Sequence, residues 1–174
     1  SRLRYRVDVE RAAVARFEAE QALAPSMNYS PELREAARRD PRVMQALKKE
    51  GALFDARRRA LDSEAGLLRK QAGRMGSEMQ SLRAEIEQAQ SSLALQTRDL
   101  ERSRSLVKDG FISATRVGQV EAGVADYASK LAERHSELAR AQQREIDGEL
   151  KIKTAQNNYV QQASDQLKVA TARL

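Results

Sequence analysis

The stretch Arg102-Ser-Arg-Ser-Leu106-Val-Lys-Asp-Gly110-Phe-Ile-Ser113 decides the fold, because two long heptad-patterned segments meet there and fold back. Upstream, Leu47, Phe54, Leu61, Leu68, Met75, Leu82 and Ala89 recur every seventh residue. A companion stripe follows at Ala65, Ala72, Met79, Ile86, Leu93, Leu100 and Val107. Steps of four and three between the stripes make the apolar seam of a coiled coil. Downstream, Val117, Val124, Leu131 and Leu138 form one seven-residue series, and Ile146, Val160, Leu167 and Leu174 form another. Folding about Gly110 sets Leu47 opposite Leu174, Phe54 opposite Leu167, Leu61 opposite Val160 and Met75 opposite Ile146. Nearer the turn it sets Leu82 opposite Leu138, Leu93 opposite Tyr127 and Leu100 opposite Val120. One fold axis kept over that distance predicts an all-α fold, a long antiparallel coiled-coil hairpin. Its ascending helix spans 41–108, its tip 109–113 and its descending helix 114–174.

Helix punctuation supplies the rest of the organisation. Leu3, Val7, Val14 and Phe17 share one face of a first helix at roughly 2–23. Pro25 and Pro31 oppose its continuation, because proline disfavours helical geometry in the residue before it. Ser30-Pro31 then starts a short helix ending near Arg39, and Asp40-Pro41 starts the long one. The ascending helix is expected to run about 100 Å at 1.5 Å per residue. Lys108-Asp109-Gly110 stops it, with Gly110 suited to the left-handed conformation at a helix C-terminus, and Ser113 caps the return helix. The seam shifts by one residue between Leu138 and Ile146, so the left-handed supercoil is expected to relax there. The first helix, with the proline-broken section, makes residues 1–40 an additional helix packed at the hairpin base. Among the glycines, Gly73 and Gly76 fit either close helix packing or simple tolerance.

Composition narrows the function classes. Charged residues make up 32%, aromatic residues 4%, and tryptophan and cysteine are absent. That is the composition of long helices rather than of a bulky core. The net charge of +6 comes from interleaved basic and acidic residues, unlike the one-sided basic stripe with stacking aromatics of a nucleic-acid binder. Basic runs at Ser1-Arg-Leu-Arg-Tyr-Arg6 and Arg57-Arg-Arg59 leave nucleic acid or anionic lipid as an alternative. No apolar run reaches the roughly 18 residues of a membrane span, and no membrane contact by this chain is expected. Both chain ends read as cuts, so a piece of a longer protein is expected. His135 is the single histidine, and Leu138 and Ala139 stand where further metal ligands would sit. No glycine-rich phosphate loop or nucleophile elbow occurs, and neither an enzyme nor a cofactor is expected.

The tip carries a different signal. Phe111 beside Gly110 is hard to bury within two helices, which marks a partner-binding surface. Arg102, Leu106 and Ser113 fit the Arg-x-x-x-Leu-x6-Ser pattern of periplasmic adaptor proteins. Leu106-Val-Lys-Asp-Gly-Phe-Ile-Ser-Ala-Thr-Arg116 resembles the tip segment of haemolysin D-type membrane fusion proteins, in the branch that exports proteases and lipases by type I secretion. Arg11-Ala-Ala-Val-Ala-Arg-Phe-Glu-Ala-Glu20 is similar to the helix that follows the first lipoyl half in that family. Leu53-Phe-Asp-Ala-Arg57 is similar to its "L-F-x-A-R" stretch. The transmembrane helix, lipoyl domain and β-barrel domain of the family are not in this chain.

The resemblance implies the periplasmic part of an inner-membrane-anchored protein of a Gram-negative bacterium. Such adaptors stand beside an inner-membrane ABC transporter, associate into a ring, and dock their tips on a TolC-type outer-membrane channel. In that setting Arg102, Leu106, Gly110, Phe111 and Ser113 would be the channel-binding residues. A multidrug-efflux adaptor and a generic coiled-coil spacer are the competing readings.

Overall fold

Proline and short polar side chains set the helix starts. The structure, a computed structural model, describes residues 1–174. It contains α1 (Arg2–Gln21), α2 (Pro31–Arg39), α3 (Pro41–Lys108) and α4 (Ala114–Arg173) and no strand. Ser1 Oγ accepts the Arg4 amide at 3.4 Å and Ser30 Oγ the Leu33 amide at 3.2 Å. The Asp40 carboxylate accepts the Arg42 amide at 2.9 Å and pairs with the Arg42 guanidinium at 2.8 Å. Those hydrogen bonds hold the Asp40 carboxyl below its ordinary pKa. Each cap satisfies a backbone donor that the first helical turn leaves without a partner. By the packing of its backbone the chain divides into two compact units, residues 1–69 with 149–174, and residues 70–148.

In the first unit, Ala12, Leu33, Ala37, Val43 and Leu47 form one buried cluster, with Tyr5, Tyr29 and Ala36 packed against it. Phe54, Leu61 and Ala65 continue the buried side of α3, and Tyr159, Ala163 and Ala170 that of α4. Burying a large apolar side chain contributes about 1.5–3 kcal/mol, so this line of residues holds the helices together. α1 lies against both long helices, with Gln21 donating to Ser164 Oγ at 3.0 Å and Arg173 near Glu10 at 3.8 Å.

The buried side of α1 differs from the expected apolar face. Leu3 is 72% exposed and Val7 and Val14 are only half-buried, while Ala12, Arg16, Phe17 and Glu20 are buried. Arg16 hydrogen-bonds Glu50 and lies 3.0 Å from Glu20. Arg57 Nε in turn lies 3.2 Å from Glu20 Oε1, an ion pair without hydrogen-bond alignment. Burial works against the Arg16 charge, but the hydrogen bonds and attraction of Glu50 and Glu20 outweigh it and raise its pKa. An ionic network joins the buried Ala12 and Phe17 in seating α1.

In the second unit α3 and α4 run antiparallel. Met79, Leu82 and Ala141 cluster with Leu138, so the expected pairing of Leu82 with Leu138 is present. Glu78 meets Arg144 at 3.5 Å and Glu85 meets Arg134 at 3.1 Å on either side of that cluster. Every residue of the two expected α3 stripes is buried or half-buried.

The α4 seam corrects the expectation in one respect. Ile146 is 56% exposed, whereas Glu145 and Gly148 are half-buried and Ala141 has no exposure. The seven-residue series therefore continues from Leu138 through Glu145 and Ile152 to Tyr159. The one-residue shift comes later, where Gln166 is exposed and Leu167 takes its place. Leu174, expected opposite Leu47, lies past the end of α4 and is 55% exposed. A side chain at Gly66, Gly73 or Gly76 would meet nothing within 4 Å, so no helix of this chain packs closely there.

Candidate functional site

The turn between the long helices is built by its own backbone. Gly110 has φ +81°, and its amide donates to the Val107 carbonyl at 3.0 Å. The Phe111 amide donates to the Leu106 carbonyl at 2.8 Å. These two bonds form a Schellman motif, which satisfies the last carbonyls of α3 and requires the left-handed conformation that glycine adopts freely. Three residues on, Ser113 Oγ accepts the Arg116 amide at 3.2 Å and starts α4. Lys108 in the last turn of α3 complements the negative end of the helix dipole.

This geometry displays the sequence-predicted residues unequally. Phe111 is 74% exposed, and Ile112 beside it is half-buried. Arg102 and Leu106 lie one turn apart on α3 and line a cleft of about 410 Å³. The opposite wall is Arg116, Gln119, Val120 and Gly123 from α4. Leu106 is half-buried there and Arg102 exposed. Gly110 and Ser113 stand outside the cleft and shape the turn, although Ser113 keeps its own hydroxyl hydrogen free to donate.

The charges around the cleft are partitioned. Arg104 pairs with Glu121 at 2.9 Å, and Arg116 reaches Gln119 Oε1 at 3.5 Å. Arg102 has no carboxylate within ion-pair distance, so its five donors face solvent beside the Leu106 side chain. An apolar knob, an unpaired guanidinium and an exposed phenyl ring at one turn can meet a protein surface. Nearby there is no cluster of three acidic or histidine side chains for a metal ion. Sequence reasoning omitted the α4 wall. The fold-back register could have supplied it, since it places Arg102 opposite the first turns of α4.

The family model of the AprE long alpha-helical hairpin matches residues 1–174. The chain belongs to the AprE long alpha-helical hairpin family. Its fold is similar to the crystal structure of the soluble domain of LipC, a membrane fusion protein of a type I secretion system. The two share 22% identity with a TM-score of 0.89, over 98% of this chain and 79% of that one. No curated protein sequence matches the chain. Membership agrees with the helical hairpin expected from the heptads, and residues 109–113 lie at the turn between α3 and α4.

Proposed function

We propose that this AprE-type hairpin is the periplasmic adaptor arm of a type I protein secretion system, bridging an inner-membrane ABC transporter to a TolC-type outer-membrane channel. Residues 41–174 are the hairpin and residues 1–40 its base, within a longer inner-membrane-anchored protein. The observation that carries the reading is the side-by-side placement of Leu106 and unpaired Arg102 at a turn that also exposes Phe111. In a tip-to-tip contact Leu106 supplies an apolar knob, Arg102 charge-assisted hydrogen bonds, and Ser113 a hydroxyl donor. Each contact is small, and a ring of copies multiplies it by avidity.

The experiment is protein export from cells carrying Leu106→Ala or Arg102→Asp in the intact adaptor, with co-purification of the channel. Both variants should keep their helicity and membrane association while export and channel recovery fall. Gln143→Ala, at an exposed side chain bonded only to Asp147 on its own helix, is the control and should export normally. Normal export and unchanged channel recovery from both tip variants would leave a structural spacer as the better reading.

A further inference from the structure

α2 and the start of α3 wall a second groove, of about 410 Å³, that the tip reading leaves unused. Its floor is apolar, with Ala37 and Leu47 buried in the core cluster and Met44 37% exposed. Tyr29 closes one side, and its hydroxyl donates to the Leu47 carbonyl at 2.6 Å, which fixes that wall before anything binds. The rim is cationic. Arg34 and Arg38 project from α2 one turn apart, roughly 6 Å between their Cβ atoms, and Lys48 stands on α3.

The local carboxylates neutralise only part of this rim. Glu35 serves both Arg38, at 3.2 Å, and Arg39, at 3.1 Å. Asp40 is taken by Arg42, while Arg34 and Lys48 have no carboxylate within ion-pair distance. Cations on two walls above an apolar floor match a row of carboxylates set around an apolar anchor. We infer that this groove docks an acidic amphipathic helix of a partner protein, with one large apolar side chain over Met44 and carboxylates facing Arg34, Arg38 and Lys48. The inference is independent of the tip reading.

The test is fluorescence anisotropy of the 174-residue chain with a labelled designed helix that carries leucines on one face and glutamates beside them. Saturable binding is expected, weakened roughly tenfold by the double change Arg34→Glu with Lys48→Glu. Met44→Lys should also weaken it roughly tenfold, although it adds positive charge, because the apolar floor is lost. Circular dichroism verifies that each variant keeps its helicity. The tip variant Arg102→Asp with Leu106→Ala should bind the peptide unchanged, which separates this outcome from the export result. Absent binding, or binding that survives Met44→Lys, would overturn the proposal. Capture on phosphatidylglycerol vesicles lost in the same variants would assign the groove to lipid and overturn it. A concentration-dependent dimer abolished by Met44→Lys would assign it to a second copy, with the same effect.

Discussion

Arg57 Nε of α3 lies 3.2 Å from Oε1 of Glu20, the fully buried carboxylate of α1. Arg16 holds the same oxygen from within α1, so one carboxylate compensates parts of two guanidinium charges away from water.

Removing that carboxylate should be costly. Glu20→Ala leaves buried positive charge, which typically destabilises by about 3–5 kcal/mol, and the lower end is expected because Arg57 retains some solvent contact. Replacing Arg16, Glu20, Glu50 and Arg57 together by Met, Leu, Met and Met should cost far less, since no charge is stranded. Thermal melts followed by circular dichroism compare the two. Equal losses would show that the ionic network is not what seats α1.

The seam position can be tested by two substitutions on α4. Ile146→Ser should change stability by about 0.5 kcal/mol or less, because the side chain is 56% exposed. Ala141→Leu should destabilise by about 1–3 kcal/mol, because it overfills the cluster of Met79, Leu82 and Leu138. The reverse order in urea titrations would restore Ile146 to the seam.

Much of this fold is legible in the sequence, and the misreadings share one cause. Pro31, Pro41, Gly110 and Ser113 act through fixed backbone chemistry, so the helix starts and the turn can be read locally. The α3 seam is apolar at nearly every step and equally clear. On α4 the inward positions include Glu145 and Gly148, so the apolar Ile146 attracts the reading although it points outward. α1 misleads in the same way, because Arg16 and Glu20 belong to the buried side while Leu3 does not. Charged residues enter the interior only with partners, and those partners, Glu50 and Arg57, come from another helix that local sequence does not reveal. At the tip, Arg102, Leu106 and Phe111 were readable, whereas the α4 wall of the cleft depends on tertiary register.

The turn should respond to local changes without loss of the remaining helix. Gly110→Ala places a side chain at φ +81° and should cost about 1–2 kcal/mol. Ser113→Ala removes an N-cap and should cost about 1 kcal/mol. Hydrogen exchange should accelerate at the amides of Phe111 and Arg116, while those around Leu82 stay protected.

Alkaline pH should loosen the first unit. Burial, followed by the nearby Glu50 charge, pushes the Tyr29 phenol up to about 12 from its ordinary value near 10. The neutral form is thus favoured in the folded state. Its stabilisation is fully present below pH 10 and is lost as pH rises from there through about 12. Tyr29→Phe should lose about 0.5–1.5 kcal/mol with the hydrogen bond to Leu47, and its melting temperature should fall less steeply over that range.

The one-residue shift on α4 bears on how the first helix finds its berth. From Ile152 to Leu167 the inward positions take fifteen residues for four turns, a period above 3.6, so the helix loses left-handed winding there. Within and just beyond that stretch lie Ala163 and Ala170, buried small residues, with Ser164 beside them bonded to Gln21 of α1. Deleting a single residue between Tyr159 and Ala163 would restore the seven-residue phase. It would also turn both alanines by about 100° away from their present side. The length of this stretch is therefore a constraint in its own right. A chain with every contact residue retained but one position fewer would carry Ala163, Leu167 and Ala170 together off the side they now bury.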